Sequence, residues 1–159
     1  VEKSLLDEML SAANLAPSWK NSQTPRFYVA TGEKSKNAVR EALPEFNRKN
    51  SENASAYIVT TVVLNRSGFD KDGTAVTEIG NGWGYYDLGL NNMALLLKAT
   101  ELGISTLVMG IRDGEKLRKE FDIPETEAVV SVIAVGYTDS EIVRPKRKSV
   151  EDFAKFYEE

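Results

Sequence analysis

The stretch that most constrains this fold is AYIVTTVVLN, residues 56–65. An almost unbroken apolar run of this length reads as a strand covered on both faces, because a strand with one wet face alternates apolar and polar residues. Something must therefore lie on each side of it. The chain supplies candidates: FYVAT at 27–31, ISTLVMG at 104–110 and AVVSVIAVGY at 128–137 read as further strands, separated by segments with helical spacing. Strands and helices alternating in one compact chain imply a sheet with helices on both sides.

The helical segments carry their own punctuation. Ser4 with Asp7 reads as an acidic capping box ahead of Leu5, Leu6, Met9, Leu10 and Ala13, and this helix should stop before Pro17. Residues 33–50 read as helical with a break or kink at Pro44. From Trp83 to Leu102 the pattern is helical and apolar on most sides, which suits a central buried helix or one packed into an interface, with Gly103 as its C-terminal cap. Asp113 should cap a charged helix running through Phe121, and Ser149 with Asp152 a last one. Between strand and helix, Arg66 to Gly82 is a loop long enough to suspect a functional or mobile role. No repeat or linker divides the 159 residues, so one domain is expected over 1–159.

Composition narrows the chemistry. The chain has no cysteine and no histidine. That excludes disulfides, thiol nucleophiles, cysteine-ligated clusters, imidazole bases and zinc sites that use histidine. What remains is chemistry by carboxylate, lysine or tyrosine, chemistry carried by an organic cofactor, or none. A formal charge of −4 with dispersed basic residues argues against nucleic acid or anionic lipid as partner. No run approaches the length of a membrane span, and VEKSLLDEML lacks the regions of a signal peptide, so a cytoplasmic protein without a membrane partner is expected.

Four stretches could carry function. GNGWG, 80–84, lacks the last glycine of a dinucleotide fingerprint, where Tyr85 stands, and follows a loop; it reads as a flexible lead-in to the helix. DKDG, 70–73, lacks the remaining ligands of a calcium loop and reads as a solvated turn. RPKRKS, 144–149, gathers Arg144, Lys146, Arg147 and Lys148 before a capped helix, which suits either a phosphate monoester or a solvated loop. PSWKNSQTPR, 17–26, offers Ser18, Asn21 and Gln23 for hydrogen bonding and Trp19 to cover a ring. It suits a flat heteroaromatic ligand with polar edges, or a self-satisfied turn.

SAANLAPSWKNSQTPRFYVATG resembles the first motif of the nitroreductase family of FMN-dependent oxidoreductases, and the similarity continues through FNRKNSENASAYIVTTVV, YYDLGLNNMALLLKATELGISTLVMG and FDIPETEAVVSVIAVGY. It covers essentially the whole chain in order. The resemblance implies a nitroreductase-like α+β fold, with a mixed central sheet of about four to five strands and helices on both faces, assembled as a homodimer. It implies that Pro17, Ser18, Trp19 and Asn21 contact FMN across the dimer interface, that Asn47 lies near the pyrimidine edge of the ring, and that Met109 and Gly110 pass beside it. Arg147, with Lys146, matches the basic position that holds the phosphate. The activity implied is electron transfer from NAD(P)H to nitroaromatic, quinone or similar flat acceptors in a ping-pong sequence. Phe69, Trp83, Tyr85 and Tyr86 are expected to wall the substrate pocket, and no residue is nominated as a catalytic acid or base. The alternatives are a flavin-binding or sensing protein without turnover, a specialised chemistry such as dehalogenation, and a purely structural homodimer. Relatives usually begin with an Arg-Arg-Ser-like segment that supplies further phosphate ligands, and that segment is expected to be absent here.

Overall fold

The structure is a computed structural model that describes residues 1–158. Its centre is a four-stranded sheet of β1 (Pro25–Ala30), β2 (Ala56–Val63), β3 (Ser105–Met109) and β4 (Glu127–Gly136), in the order β1-β2-β4-β3. The expected double cover of β2 is present, since every residue from Ala56 to Val62 is buried. Tyr57 and Val59 point to one face with Val132 and Ala134, and meet Val39, Ala42 and Leu43 and, beyond them, Leu117. Ile58 points to the other face with Ile133 and Val135, and meets Leu6, Met9, Leu95 and Ala99. Each such aliphatic side chain, fully buried, stabilises the fold by about 1.5–3 kcal/mol relative to exposure.

Among the described residues there are six α-helices: α1 (Lys3–Asn14), α2 (Glu33–Glu41), α3 (Glu45–Asn50), α4 (Gly82–Glu101), α5 (Gly114–Glu120) and α6 (Val150–Phe153). α1 and α4 cover one face, α2 and α5 the other. Pro44 breaks the 33–50 segment as expected and becomes the N-cap of α3. Asp113 caps α5 by accepting the Lys116 N–H at 3.1 Å. Gly103, at φ +70°, ends α4 in the left-handed region where glycine carries no steric penalty.

Two expectations are corrected. All strand pairs are antiparallel, so the sheet is not mixed. The seven residues of α5 span only about 10 Å, too little to return the chain to the start of the sheet. β4 therefore begins near the end where β3 stops and runs back between β2 and β3. Ser4 caps nothing: the helix begins two residues earlier with Glu2 as N-cap, and Asp7 pairs instead with Lys3 at 2.6 Å. The last helix does start at a Ser149–Asp152 capping box but is a single turn in an exposed tail.

Candidate functional site

Two groups of the expected site residues gather at the same end of the sheet but on opposite edges. The first is the turn between α1 and β1. Trp19, Lys20 and Asn21 form one tight helical turn, and Gln23 donates its N–H to Ser18 Oγ at 3.0 Å. Lys20, Asn21 and Gln23 sit at φ +46°, +54° and +49°. Non-glycine residues in that region each cost about 1–3 kcal/mol and persist only where the surroundings hold them there.

The surroundings here are α4 and the loop before it. The Trp19 N–H donates to both carboxylate oxygens of Asp87 at 3.1 Å. Asp87 is 2 % exposed. Its Oδ2 also accepts the Ser67 hydroxyl, and Ser67 Oγ in turn lies 2.6 Å from Ser22 Oγ and 3.2 Å from Thr24 Oγ1. With the Ser67 proton committed to Asp87, the Ser22 and Thr24 hydroxyls are the donors in those two contacts. Every member of this buried network is thereby satisfied.

Above the network lies an aromatic cluster. The Trp19 and Trp83 rings are 4.7 Å apart, and Tyr86 meets Trp83 edge-on at 5.7 Å. Trp83 Nε1 donates to Thr77 at 2.8 Å, which ties the 66–80 loop to α4, and Lys20 pairs with Asp70 at 3.3 Å, which ties it to the turn. Phe69, half-buried, bridges to Ala75 within that loop. Tyr85 and Tyr86 are exposed, as is Pro17. Trp19 Nε1 is buried with no hydrogen-bond partner among the described residues. A cleft of about 520 Å³ beside the turn is lined in part by Asn14, Ser18, Gln23, Arg26 and Asn91.

Of the glycines in GNGWG, Gly84 is a packing residue. A Cβ on Gly84 would come 2.9 Å from Val62 Cγ2 and 3.9 Å from Thr24 Oγ1. The bare backbone lets α4 approach β2 closely enough for Asp87, one turn on, to reach the network.

The second group stands at the end of β3. Met109 is buried, and Gly110 is exposed with nothing within 4 Å of where its Cβ would lie. Asn47 on α3 reaches across and donates to the Ile111 carbonyl at 3.3 Å. Arg112 braces the same segment, donating to the Gly110 carbonyl at 3.2 Å and to the Val129 carbonyl. The strand order puts β1 and β3 at opposite edges, three strand spacings apart, which is about 14 Å. Ser18 and Trp19 of one chain therefore do not meet Gly110 of the same chain. Lys146 and Arg147 lie exposed in the tail, where Arg147 donates to the Pro145 carbonyl at 2.9 Å. Neither joins the two groups through a hydrogen bond among the described residues.

Sequence reasoning missed Asp87, Ser67 and Arg112. For Asp87 a signal was available, a single acid inside the apolar helix YYDLGLNNMALLL. Arg112 and Ser67 stand in polar stretches that give none.

Comparison with curated protein sequences finds no match. Among solved structures, a nitroreductase family protein from Clostridium difficile 630 superposes with a TM-score of 0.77 at 22% identity, over 98% of this chain and 87% of its own. An enone reductase catalysing a key step of gut-bacterial fatty acid saturation gives 0.84 at 20%, over 98% and 88%. An oxidoreductase containing FMN gives 0.74 at 25%, over 88% and 69%. The first two likenesses are of fold. The profile of the nitroreductase family matches residues 1–137, and the chain belongs to that family.

Proposed function

We propose that this chain is an FMN-dependent oxidoreductase that passes electrons from NAD(P)H to a nitroaromatic, quinone or similar flat acceptor by a ping-pong sequence. The observation that carries the proposal is the pairing of family membership with the bare, exposed backbone at Gly110, beside which the Asn47 amide is held. A planar ring can approach Gly110 because nothing stands where a side chain would be, and the side-chain Oδ1 of Asn47 takes no hydrogen bond among the described residues. The residues thus fit the cofactor. When bound, FMN supplies the capacity to accept two electrons from one partner and deliver them to another, chemistry that neither histidine nor cysteine is needed to perform.

The chain's own residues bind and orient. Met109, Gly110 and Asn47 would hold one edge of the ring through backbone and amide groups. Pro17, Ser18, Trp19 and Asn21 would close the site from a second copy, which the separation of the two sheet edges supports. Lys146 and Arg147, cationic and exposed, would neutralise the phosphate. Phe69, Trp83, Tyr85 and Tyr86 would exclude water and stack the acceptor. The outer face of α4 also supports a homodimer: Tyr85, Tyr86, Met93 and Leu97 are all exposed in the single chain. No helix among the described residues is long and apolar enough to cross a membrane, which accords with acceptors met in water.

The test is a titration of purified protein with FMN, followed by NADH and NADPH oxidation with a quinone acceptor and by a mass measurement in solution. A flavin spectrum perturbed on binding, turnover with either nucleotide and a mass of two chains are expected. Bound flavin without turnover would mark a binding protein instead, and no binding at all would refute the proposal.

A further inference from the structure

We infer that Asp87 is a positioning residue that clamps the Trp19 turn to the 66–80 loop and so holds the cofactor side and the acceptor side of the site as one unit. The inference rests on the proposed function for what the unit does, but not for the clamp itself. Four observations carry it. The Asp87 carboxylate is almost fully buried on the inner face of α4, where an ionisable group is retained only with dedicated partners. Its partners come from two other segments of the chain, the Trp19 N–H from the turn and the Ser67 hydroxyl from the loop. Ser67 relays the contact back to the turn through Ser22 and Thr24. The turn so held is strained, with Lys20, Asn21 and Gln23 all in the left-handed region.

The chemistry of the donor set explains why aspartate is needed. All the groups that meet this side chain are donors, an N–H and an O–H, and a carboxylate accepts on both oxygens. Asparagine would turn an amide N–H toward one of them and force Ser67 to redirect its proton. Releasing the carboxylate should let the three left-handed residues relax, and Trp19, attached to the first peptide of the turn, would leave Trp83.

The test reads that ring pair directly. The chain contains two tryptophans, whose rings lie 4.7 Å apart and tilted by 45°, so the indole–indole exciton couplet in the far ultraviolet reports Trp19 against Trp83, and it is read in the flavin-free protein. Asp87→Ala, Asp87→Asn and Ser67→Ala are compared with Leu117→Ala, which empties a buried site on the far face of the sheet and lowers stability without touching the clamp. All spectra are taken below the unfolding transition. The expected result is loss of the couplet in Asp87→Ala, partial loss in Asp87→Asn and Ser67→Ala, and an intact couplet in Leu117→Ala. Affinity for FMN should fall by roughly tenfold or more in Asp87→Ala alone. An intact couplet in Asp87→Ala, or equal loss in Leu117→Ala, overturns the clamp. A lost couplet with unchanged FMN affinity overturns the positioning role. If the unaltered protein binds no FMN, the proposed function falls and the positioning role with it, while the couplet still decides the clamp.

Discussion

The close approach of α4 to β2 can be tested with two glycines of the same helix. Gly89 lies in the interior of α4 and Gly84 in its first turn, so replacing Gly89 by alanine gains about 0.8–1.0 kcal/mol in helix propensity and replacing Gly84 gains less. They differ in what the new methyl meets. At Gly89 there is nothing within 4 Å, whereas at Gly84 the methyl would stand 2.9 Å from Val62 Cγ2. Val62 is 1 % exposed and β-branched, so its χ1 has little freedom to yield, and the backbone of α4 must move instead. Overpacking of that kind costs about 1–3 kcal/mol. Gly89→Ala should therefore gain about 1 kcal/mol, and Gly84→Ala should be neutral or lose up to about 2 kcal/mol. Urea unfolding measures both, with an unchanged dependence on denaturant as the sign that stability alone has moved. For a chain of this size 1 kcal/mol corresponds to about 2–4 °C in the thermal midpoint. Because the methyl also faces Ser67 and Thr24, Gly84→Ala should weaken the Trp19–Trp83 couplet as well. Equal midpoints for the two variants would refute the close-packing argument.

Tyr28, pushed up from 10.0 to about 12 by burial and then by its bond to the Glu127 carboxylate, should make stability fall as pH rises through that window. The unfolded chain releases the proton near 10 while the folded one keeps it to about 12, so the folded state binds more protons between those values and loses ground as pH rises. Urea midpoints measured across the window should decline less steeply in Tyr28→Phe. Arg147→Ala should weaken FMN binding by roughly 10- to 100-fold, the worth of a charge-assisted hydrogen bond, and leave riboflavin, which has no phosphate, unaffected; calorimetry with both ligands separates the two. Tyr57→Phe removes a hydroxyl that donates to the Ser51 carbonyl from a fully buried position and should cost about 1–2 kcal/mol in urea unfolding.

What the sequence made legible was local. The run at 56–65 required cover on both faces, Pro44 required a break, and Asp113 required a helix start, because each depends on residues within a turn or two of itself. The antiparallel sheet was not legible, since periodicity reports which face a residue takes and not the direction in which the chain returns. Ser4 and Asp7 satisfied the pattern of a capping box, yet Lys3 competed for the same carboxylate and won.

The candidate site divides in the same way. Ser18, Trp19, Asn47 and Gly110 could be named from sequence because they stand in motifs, but the network that fixes the first two joins residues 68 positions apart in the chain. An acid in a helix ordinarily marks the wet face, whereas here Asp87 shares the buried stripe with Leu88, Asn91 and Leu95. The structure also separates the two groups of candidate residues within one chain. The strand order sends the turn before β1 and the end of β3 to opposite edges of one sheet, and in the proposed dimer a neighbour would bring its turn against the Gly110 edge. The aromatic and apolar residues on the outer face of α4 are also exposed in the single chain. In the proposed dimer a second copy would answer both features at once, bringing together the two halves that the strand order keeps apart and covering that helix face.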